Sequence, residues 1–426
     1  MSTAGLRVIK PSEVRAFAYD PVEPLALEQA RAIVNDVKAN GEAAVRQHAV
    51  RLGDIATESS PLTFDRDAMK QAFDSLPVGE QQLLERTKHR IQVFAEAQRA
   101  SIQSFARDIP GGQAGQDVSP MQVAGCYAPG GRYPLPSSVL MTAVSARVAG
   151  VATVVVASPR PAVATLAAAY ISNTDILVAV GGAQAIAALA YGVESAGIPA
   201  CDIIVGPGNK WVTAAKSLVY GKCAIDMLAG PSECLVVADE AAIPHAATIA
   251  ADLLAQAEHD TAAVPILVTD SKALLDAVNA EIIAQLTTLP TAPTASVSVA
   301  KGFAVLCPSL DSSVEVANIL AAEHVEIMTA DSQAVANRIE HYGGLFIGSR
   351  AAEVLGDYGV GPNHVLPTGG TARYTGGLSV HTFLRIRTWM RIDDGPASQE
   401  AVRDAVQLAR IEGLEGHARA AEQRLL

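Results

Sequence analysis

From Val123 onward the chain alternates short β-branched runs with alanine-rich stretches of helical length, and this alternation limits the folds open to it. Runs at Thr153 to Ala157, Asp175 to Val180 and Asp202 to Val205 are separated by Ala162 to Ile171, Gly182 to Tyr191 and Asn209 to Tyr220. Short buried strands interleaved with helices are the pattern of βαβ units around a parallel sheet. The alternation restarts after Pro231, with Cys234 to Ala238, Ala246 to Gln256, Pro265 to Thr269, Lys272 to Leu286, a helix ending near Ala322, and Gly344 to Ile347. Two α/β domains in series are expected, over 119–232 and 233–380. Residues 1–118 read as a helical region, with amphipathic runs over Leu27 to Leu52 and Asp67 to Gln103 broken at Ser59-Ser60-Pro61. Residues 381–426 form a tail: strand-like Phe383 to Ile392, then a charged helical segment from Ser398, interrupted around Gly413 and Gly416.

Composition narrows the function. The 426 residues are 50% hydrophobic and 18% charged, enough apolar material for more than one core. A formal charge of -12 without any basic stripe argues against nucleic acid and anionic membranes, and leaves small-molecule chemistry. Five cysteines without C-x-x-C spacing support neither a disulfide framework nor a thiolate zinc site. No leader-like or membrane-spanning stretch is present in this sequence, so the expected location is cytoplasmic.

Three glycine-rich turns fall in the first α/β domain: Tyr127-Ala-Pro-Gly130-Gly131, Gly181-Gly182-Ala-Gln184 and Gly206-Pro-Gly208-Asn209. Backbone amides and a helix N-terminus gather at such turns on the ligand side of an open sheet, which suits a nucleotide. None matches G-x-G-x-x-G, and a glycine there also serves simply to turn the chain. Tyr127, Gln184 and Asn209 would supply hydrogen bonds from the loop tips; alternatively Gln184 and Asn209 cap turns or helices.

A second set of polar residues interrupts otherwise apolar sequence: Gln256 and His259, Glu323-His324, Asp357 with His364, and Glu412 with His417. Unpaired imidazoles and carboxylates are costly to bury, and a divalent metal is the obvious shared partner. Gln256 and His259, three apart, share a helix face, although two unrelated polar residues would look the same. Glu323-His324 suits acid/base work or helix-end capping; Asp357 suits a turn; His417 suits a solvated tail. His48, His89, His245 and His341 have no second ligand type at a metal-binding spacing. A serine hydrolase is excluded by the lack of G-x-S-x-G, and Cys126 and Cys234 read as buried inert thiols.

Taken in order, the segments resemble the L-histidinol dehydrogenase family. The matching stretches include Tyr127-Ala-Pro-Gly-Gly, Gly181-Gly-Ala-Gln-Ala-Ile-Ala-Ala-Leu-Ala-Tyr-Gly192, Val205-Gly-Pro-Gly-Asn209, Ala229-Gly-Pro-Ser-Glu233, Asp252 to His259, Glu323-His324, Asn363-His-Val-Leu-Pro-Thr368, and Glu412-Gly-Leu414 with His417. The resemblance implies two Rossmann-like domains related to aldehyde dehydrogenases, with N- and C-terminal extensions. It implies one zinc ion held by Gln256, His259, Asp357 and His417, the last supplied across a homodimer. It implies Glu323 and His324 as acid/base residues, Ser232, Glu353, His364 and Glu412 as substrate contacts beside the metal set, and Tyr127, Gln184 and Asn209 lining an NAD site. The implied reaction takes L-histidinol through L-histidinal to L-histidine, the last steps of histidine biosynthesis. The sequence departs from the family at Leu52-Gly53, Ala196 to Ala200 and Ala322, which leaves open a paralogue that oxidises another alcohol, such as a sulfonated diol. Glu412 favours histidinol, because a carboxylate suits an imidazole or ammonium and repels a sulfonate. A zinc hydrolase using Glu323 as base, and a catalytically silent binder of small molecules, are the readings from other classes.

Overall fold

The computed structural model describes residues 5–17, 21–130 and 134–426. Two six-stranded sheets form its framework. In the first, Val123–Tyr127 lies at the centre, with Thr153–Ala157 and then Ile176–Val178 on one side and Ile203–Val205 and then Ala224–Ile225 on the other, all parallel. In the second, Glu233–Ala238 takes the central place, with Val264–Thr269 and Phe303–Leu306 on one side and His324–Met328 and Gly344–Ile347 on the other. Both follow the strand order of a Rossmann half, so each reverses direction next to its first strand. The fold is α/β with two Rossmann-like sheets, as the alternation of runs leads one to expect.

Burial on both faces explains the apolar runs. In Glu233–Ala238, Cys234, Val236 and Ala238 enter one apolar cluster while Leu235 and Val237 enter another on the opposite face. The first sheet repeats this, with Val155 and Ala157 on one side and Val154 and Val156 on the other. A strand covered on both faces needs no polar alternation, whereas one covered on a single face would show it.

The N-terminal region is not purely helical. Arg7–Ile9 extends the second sheet beside Phe303–Leu306, and Thr63–Phe64 adds an antiparallel edge to the first. Phe105–Ile109, Gly112–Pro120 and Leu384–Ile392 form a separate antiparallel sheet, so the N-terminal region and the tail are joined by backbone hydrogen bonds. The amphipathic runs are also split: Gly41, at a φ of 56°, divides Pro24–Asn40 from Glu42–Arg51, and Pro77 precedes Val78–Ala100. The tail ends in two helices, Gln399–Ile411 and Glu415–Glu422, in which Val406 and Ala418 are the buried residues. Leu408, Ile411 and Leu414 remain exposed, Ile411 at 82%. Among the described residues, no helix is long and apolar enough to cross a membrane.

Candidate active site

The glycine turns and the polar residues gather at opposite ends of their two sheets. In the first, the glycine turns follow the carboxyl ends of the strands. In the second, the polar residues gather at the amino ends of neighbouring strands, because Glu233 and His324 each open theirs. A helix that follows a strand runs back along the sheet, so Ala246–His259 brings its last residue to those same amino ends.

His324 Nδ1 lies 3.1 Å from the Glu233 carbonyl oxygen, which can only accept, so Nδ1 carries the proton and Nε2 a free lone pair. That Nε2 is buried without a hydrogen-bond partner among the described residues, 3.9 Å from Asp357 Oδ1. Burial holds the imidazole's pKa down to about 3, so it is neutral. Glu323 Oε2 accepts the Glu233 N–H at 3.0 Å, and the Glu323 N–H donates to Glu233 Oε2 at 3.3 Å. Glu233 thus orients both neighbours. Burial first, with the nearby Glu233 and Asp357 carboxylates adding to it, drives the Glu323 carboxyl well above its ordinary range, while a Ser232 hydrogen bond opposes the shift.

Around His324 stand further groups without partners. Glu353 Oε2 is 3.8 Å from His324 Nδ1, and neither Glu353 oxygen has an N–H or O–H donor among the described residues; the Cys234 thiol lies alongside. His259 Nε2 is 3.8 Å from Asp357 Oδ2, and its ring is 47% exposed at the mouth. Donor atoms of His259, Glu353 and Asp357 lie within 4.8 Å of one another. Gln256 is fully buried, and neither of its amide atoms has a partner among the described residues. An orphaned amide oxygen, an imidazole and two carboxylates form a donor set that fits a divalent cation. His364 Nδ1 donates to the Asp357 carbonyl at 3.0 Å, and its Nε2 lies 3.3 Å from Ser138 Oγ, which ties this segment to the helix Pro136–Ala149 of the first domain. Burial lowers its pKa to about 4.

The structure therefore brings Ser232, Gln256, His259, Glu323, His324, Glu353, Asp357 and His364 to one place. Glu412 and His417 lie exposed on the tail, outside that cluster. His48, His89, His245 and His341 lie outside this cluster; His48, for instance, pairs with Asp36 at 2.7 Å.

The glycine turns differ from expectation in one respect. Tyr127 and Gln184 are buried instead of standing at loop tips: Tyr127 Oη accepts from the Gly182 N–H at 3.2 Å, and Gln184 Nε2 donates to Asp54 Oδ2 at 2.9 Å. Their polar atoms would be costly to bury unpaired, so they brace the turn, although Gln184 Oε1 keeps no partner among the described residues. Asn209 caps Lys210–Val219 through Trp211 and Val212 N–H. Gly131 lies outside the described residues. At Gly206, φ is 116° and a Cβ would stand 2.0 Å from the Tyr127 carbonyl oxygen, so only glycine fits. A buried Lys216–Asp226 pair holds this turn: Lys216 Nζ donates to the Gly206 carbonyl at 3.1 Å and Asp226 Oδ2 accepts the Gly206 N–H at 2.7 Å. All five cysteines are buried, and burial pushes Cys126 up to about 12, so these are inert thiols.

Asp54, Lys216, Asp226, Glu233, Asp252 and Glu326 escaped the reading of the sequence. Glu233 closes the stretch Ala229-Gly-Pro-Ser-Glu233 and Asp252 opens the stretch that ends at His259; Asp54 carries no local signal.

The chain is similar to known proteins along nearly its whole length. The family model described as histidinol dehydrogenase matches residues 22–425. The chain is 42% identical to the histidinol dehydrogenase of Thermus thermophilus over 413 residues, covering 96% of each chain. It is 42% identical to that of Bacillus subtilis, covering 92% of each. Among solved structures, histidinol dehydrogenase from Elizabethkingia anophelis superposes with a TM-score of 0.90 at 28% identity, over 99% of this chain and 98% of that one. An acetylating aldehyde dehydrogenase from Geobacillus thermoglucosidasius, at 14% identity and a TM-score of 0.50 over 89% of this chain and 96% of that one, shares the fold alone. The chain belongs to the histidinol dehydrogenase family.

Proposed function

We propose that this chain oxidises L-histidinol through L-histidinal to L-histidine, with NAD⁺ as acceptor and one zinc ion held by Gln256, His259, Asp357 and His417 of the partner subunit. The observation that carries the reading is the fixed tautomer of His324, which leaves a bare, buried Nε2 beside a carboxylate and a metal-type donor set. The exposed apolar face of the tail supports the dimer: a helix pair that buries so little of its own surface needs a second surface to cover it.

Zinc, when bound, would give the substrate's imidazole and amine nitrogens a fixed point, so that its main contribution is orientation. NAD⁺ would accept the hydride. The chain's own residues do the remaining work. His324 Nε2 takes the hydroxyl proton as the carbinol hydrogen leaves, while the Glu233 carbonyl keeps Nδ1 protonated and the ring in place. The imidazolium so formed lies 3.7 Å from Glu323 Oε2 and 3.8 Å from Glu353 Oε2, and its charge favours the ionised form of carboxyl groups that burial otherwise holds protonated. The aldehyde must be hydrated before a second hydride can leave. Glu323, with its proton affinity raised by burial, removes a proton from the attacking water, and Ser232 steadies its carboxylate. Burial of Glu323, His324 and Glu353 keeps bulk water away from the aldehyde.

Zinc-loaded protein, given histidinol and NAD⁺, should form about two NADH per histidinol consumed, without release of aldehyde. Absence of NADH formation with histidinol and with a panel of other amino alcohols would defeat the reading.

A further inference from the structure

The reaction accounts for Glu323, His324 and Glu353, yet two more acids are buried just behind them. Glu326, on His324–Met328, is two residues beyond His324 and so on the same side of the strand. Its Oε1 accepts the backbone N–H of Glu353 at 2.8 Å, where the short helix Glu353–Asp357 begins. Its Oε2, like Oδ2 of Asp252, is buried with no N–H donor among the described residues, and the two carboxyl groups face each other within hydrogen-bonding reach. Asp252 sits on Ala246–His259, four residues before Gln256 and seven before His259, on the face that carries both.

Among the described residues no Lys or Arg forms an ion pair with either acid. Two carboxyl groups can meet in such a place only if one keeps a proton and donates it to the other, which makes a charge-assisted O–H···O bond. Three elements converge on that bond: the helix bearing Gln256 and His259, the strand bearing His324, and the helix bearing Glu353 and Asp357. None of these elements is hydrogen-bonded to another through this region by a sheet ladder, since one is a strand and two are helices.

We propose that Asp252 and Glu326 are positioning residues: a proton-sharing brace that fixes the spacing of Gln256, His259 and Asp357, and with it the affinity of the site for its metal. The inference rests on the metal reading given above. Neither acid is among the residues whose donor atoms would converge on the metal. The brace acts through the helix that carries Gln256 and His259 and through the Glu353 N–H that starts the turn leading to Asp357. A glutamine at 326 keeps both bonds, because its Oε1 accepts from Glu353 and its Nε2–H donates to Asp252. A leucine fills the same space and keeps neither.

The test is zinc affinity of dialysed full-length protein, measured by competition with a chromophoric chelator, alongside urea unfolding of the metal-free form. Glu326→Leu and Asp252→Leu should weaken zinc binding by about 10- to 100-fold, the range found for residues that orient metal ligands. Glu326→Gln should stay within about threefold of wild type, a rescue that a residue needed only for bulk would not show. Leu189→Ala, a buried change on Gly182–Tyr191 in the core of the first sheet, controls for general loss of stability and should leave affinity unchanged. Wild-type affinity in Glu326→Leu, or equal losses in Glu326→Leu and Leu189→Ala, overturns the brace alone. Failure of the wild-type protein to bind zinc overturns the metal reading and the brace together.

Discussion

Replacing Lys216 by methionine tests how the turn at Gly206 is held. Lys216 and the Asp226 side chain are almost wholly buried, and the cation is the carboxylate's opposite charge. Methionine matches the aliphatic stem but removes the ammonium, leaving Asp226 as a buried anion. Breaking such a pair from one side costs about 3–5 kcal/mol. Asp226 keeps two backbone donors, the Gly206 N–H at 2.7 Å and the Met227 N–H at 2.7 Å. Hydrogen bonds to a charged group contribute about 1.5–3 kcal/mol, so the loss should fall near the lower end, about 3 kcal/mol. Urea unfolding followed by fluorescence of Trp211, on the same helix as Lys216, reports this locally once Trp389 is changed to Phe. The double variant Lys216→Met with Asp226→Asn should recover about 2 kcal/mol, because the amide still accepts one N–H and carries no charge. Since Gly206 loses its carbonyl anchor, KM for NAD⁺ should rise more than kcat falls. A single variant that loses less than about 1 kcal/mol, or a double variant no better than the single, would refute the reasoning.

Three further outcomes are expected. Glu323→Gln should slow oxidation of histidinal by about a hundredfold or more while sparing the histidinol half-reaction, assayed separately with alcohol and aldehyde; equal losses would argue against Glu323 as the base for hydration. His259→Ala and His417→Asn should each be inactive, yet refolding them together should restore roughly a quarter of wild-type sites, since about half the dimers are mixed and each mixed dimer holds one intact site; no rescue in mass-verified mixed dimers would place His417 elsewhere. Burial, and then the Asp252 carboxylate, raise Glu326 from its ordinary 4.5 to about 8, so the folded state keeps a proton that the unfolded chain has lost. Stability of the metal-free protein is therefore drawn down as pH rises from about 4.5 to about 8, and Glu326→Gln, which cannot ionise, should gain on wild type across that window by up to a few kcal/mol; urea midpoints with a pH-independent gap would contradict this.

The sheet strands, most of their helices and the glycine turns were legible in the sequence because their signals are local. A strand covered on both faces is a short apolar run, and a turn like that at Gly206 admits no side chain, so Gly182–Tyr191 and Lys272–Leu286 can be read off directly. The site residues within one motif, such as Glu323 with His324, were equally open to reading. Their partners were not. Glu233 lies 90 residues from Glu323, Asp54 lies 130 from Gln184, and Asp252 meets Glu326 only through the return of a helix across the sheet. The general rule for open sheets points to carboxyl ends; in the second domain the polar cluster stands at the amino ends, where the returning helix delivers His259. The strand Arg7–Ile9, joined to Phe303–Leu306 across nearly 300 residues, carries no pattern that names its neighbour. Whether a carboxyl group is a solvated charge, a turn former or a base depends on which groups surround it after burial, and only the tertiary structure decides that.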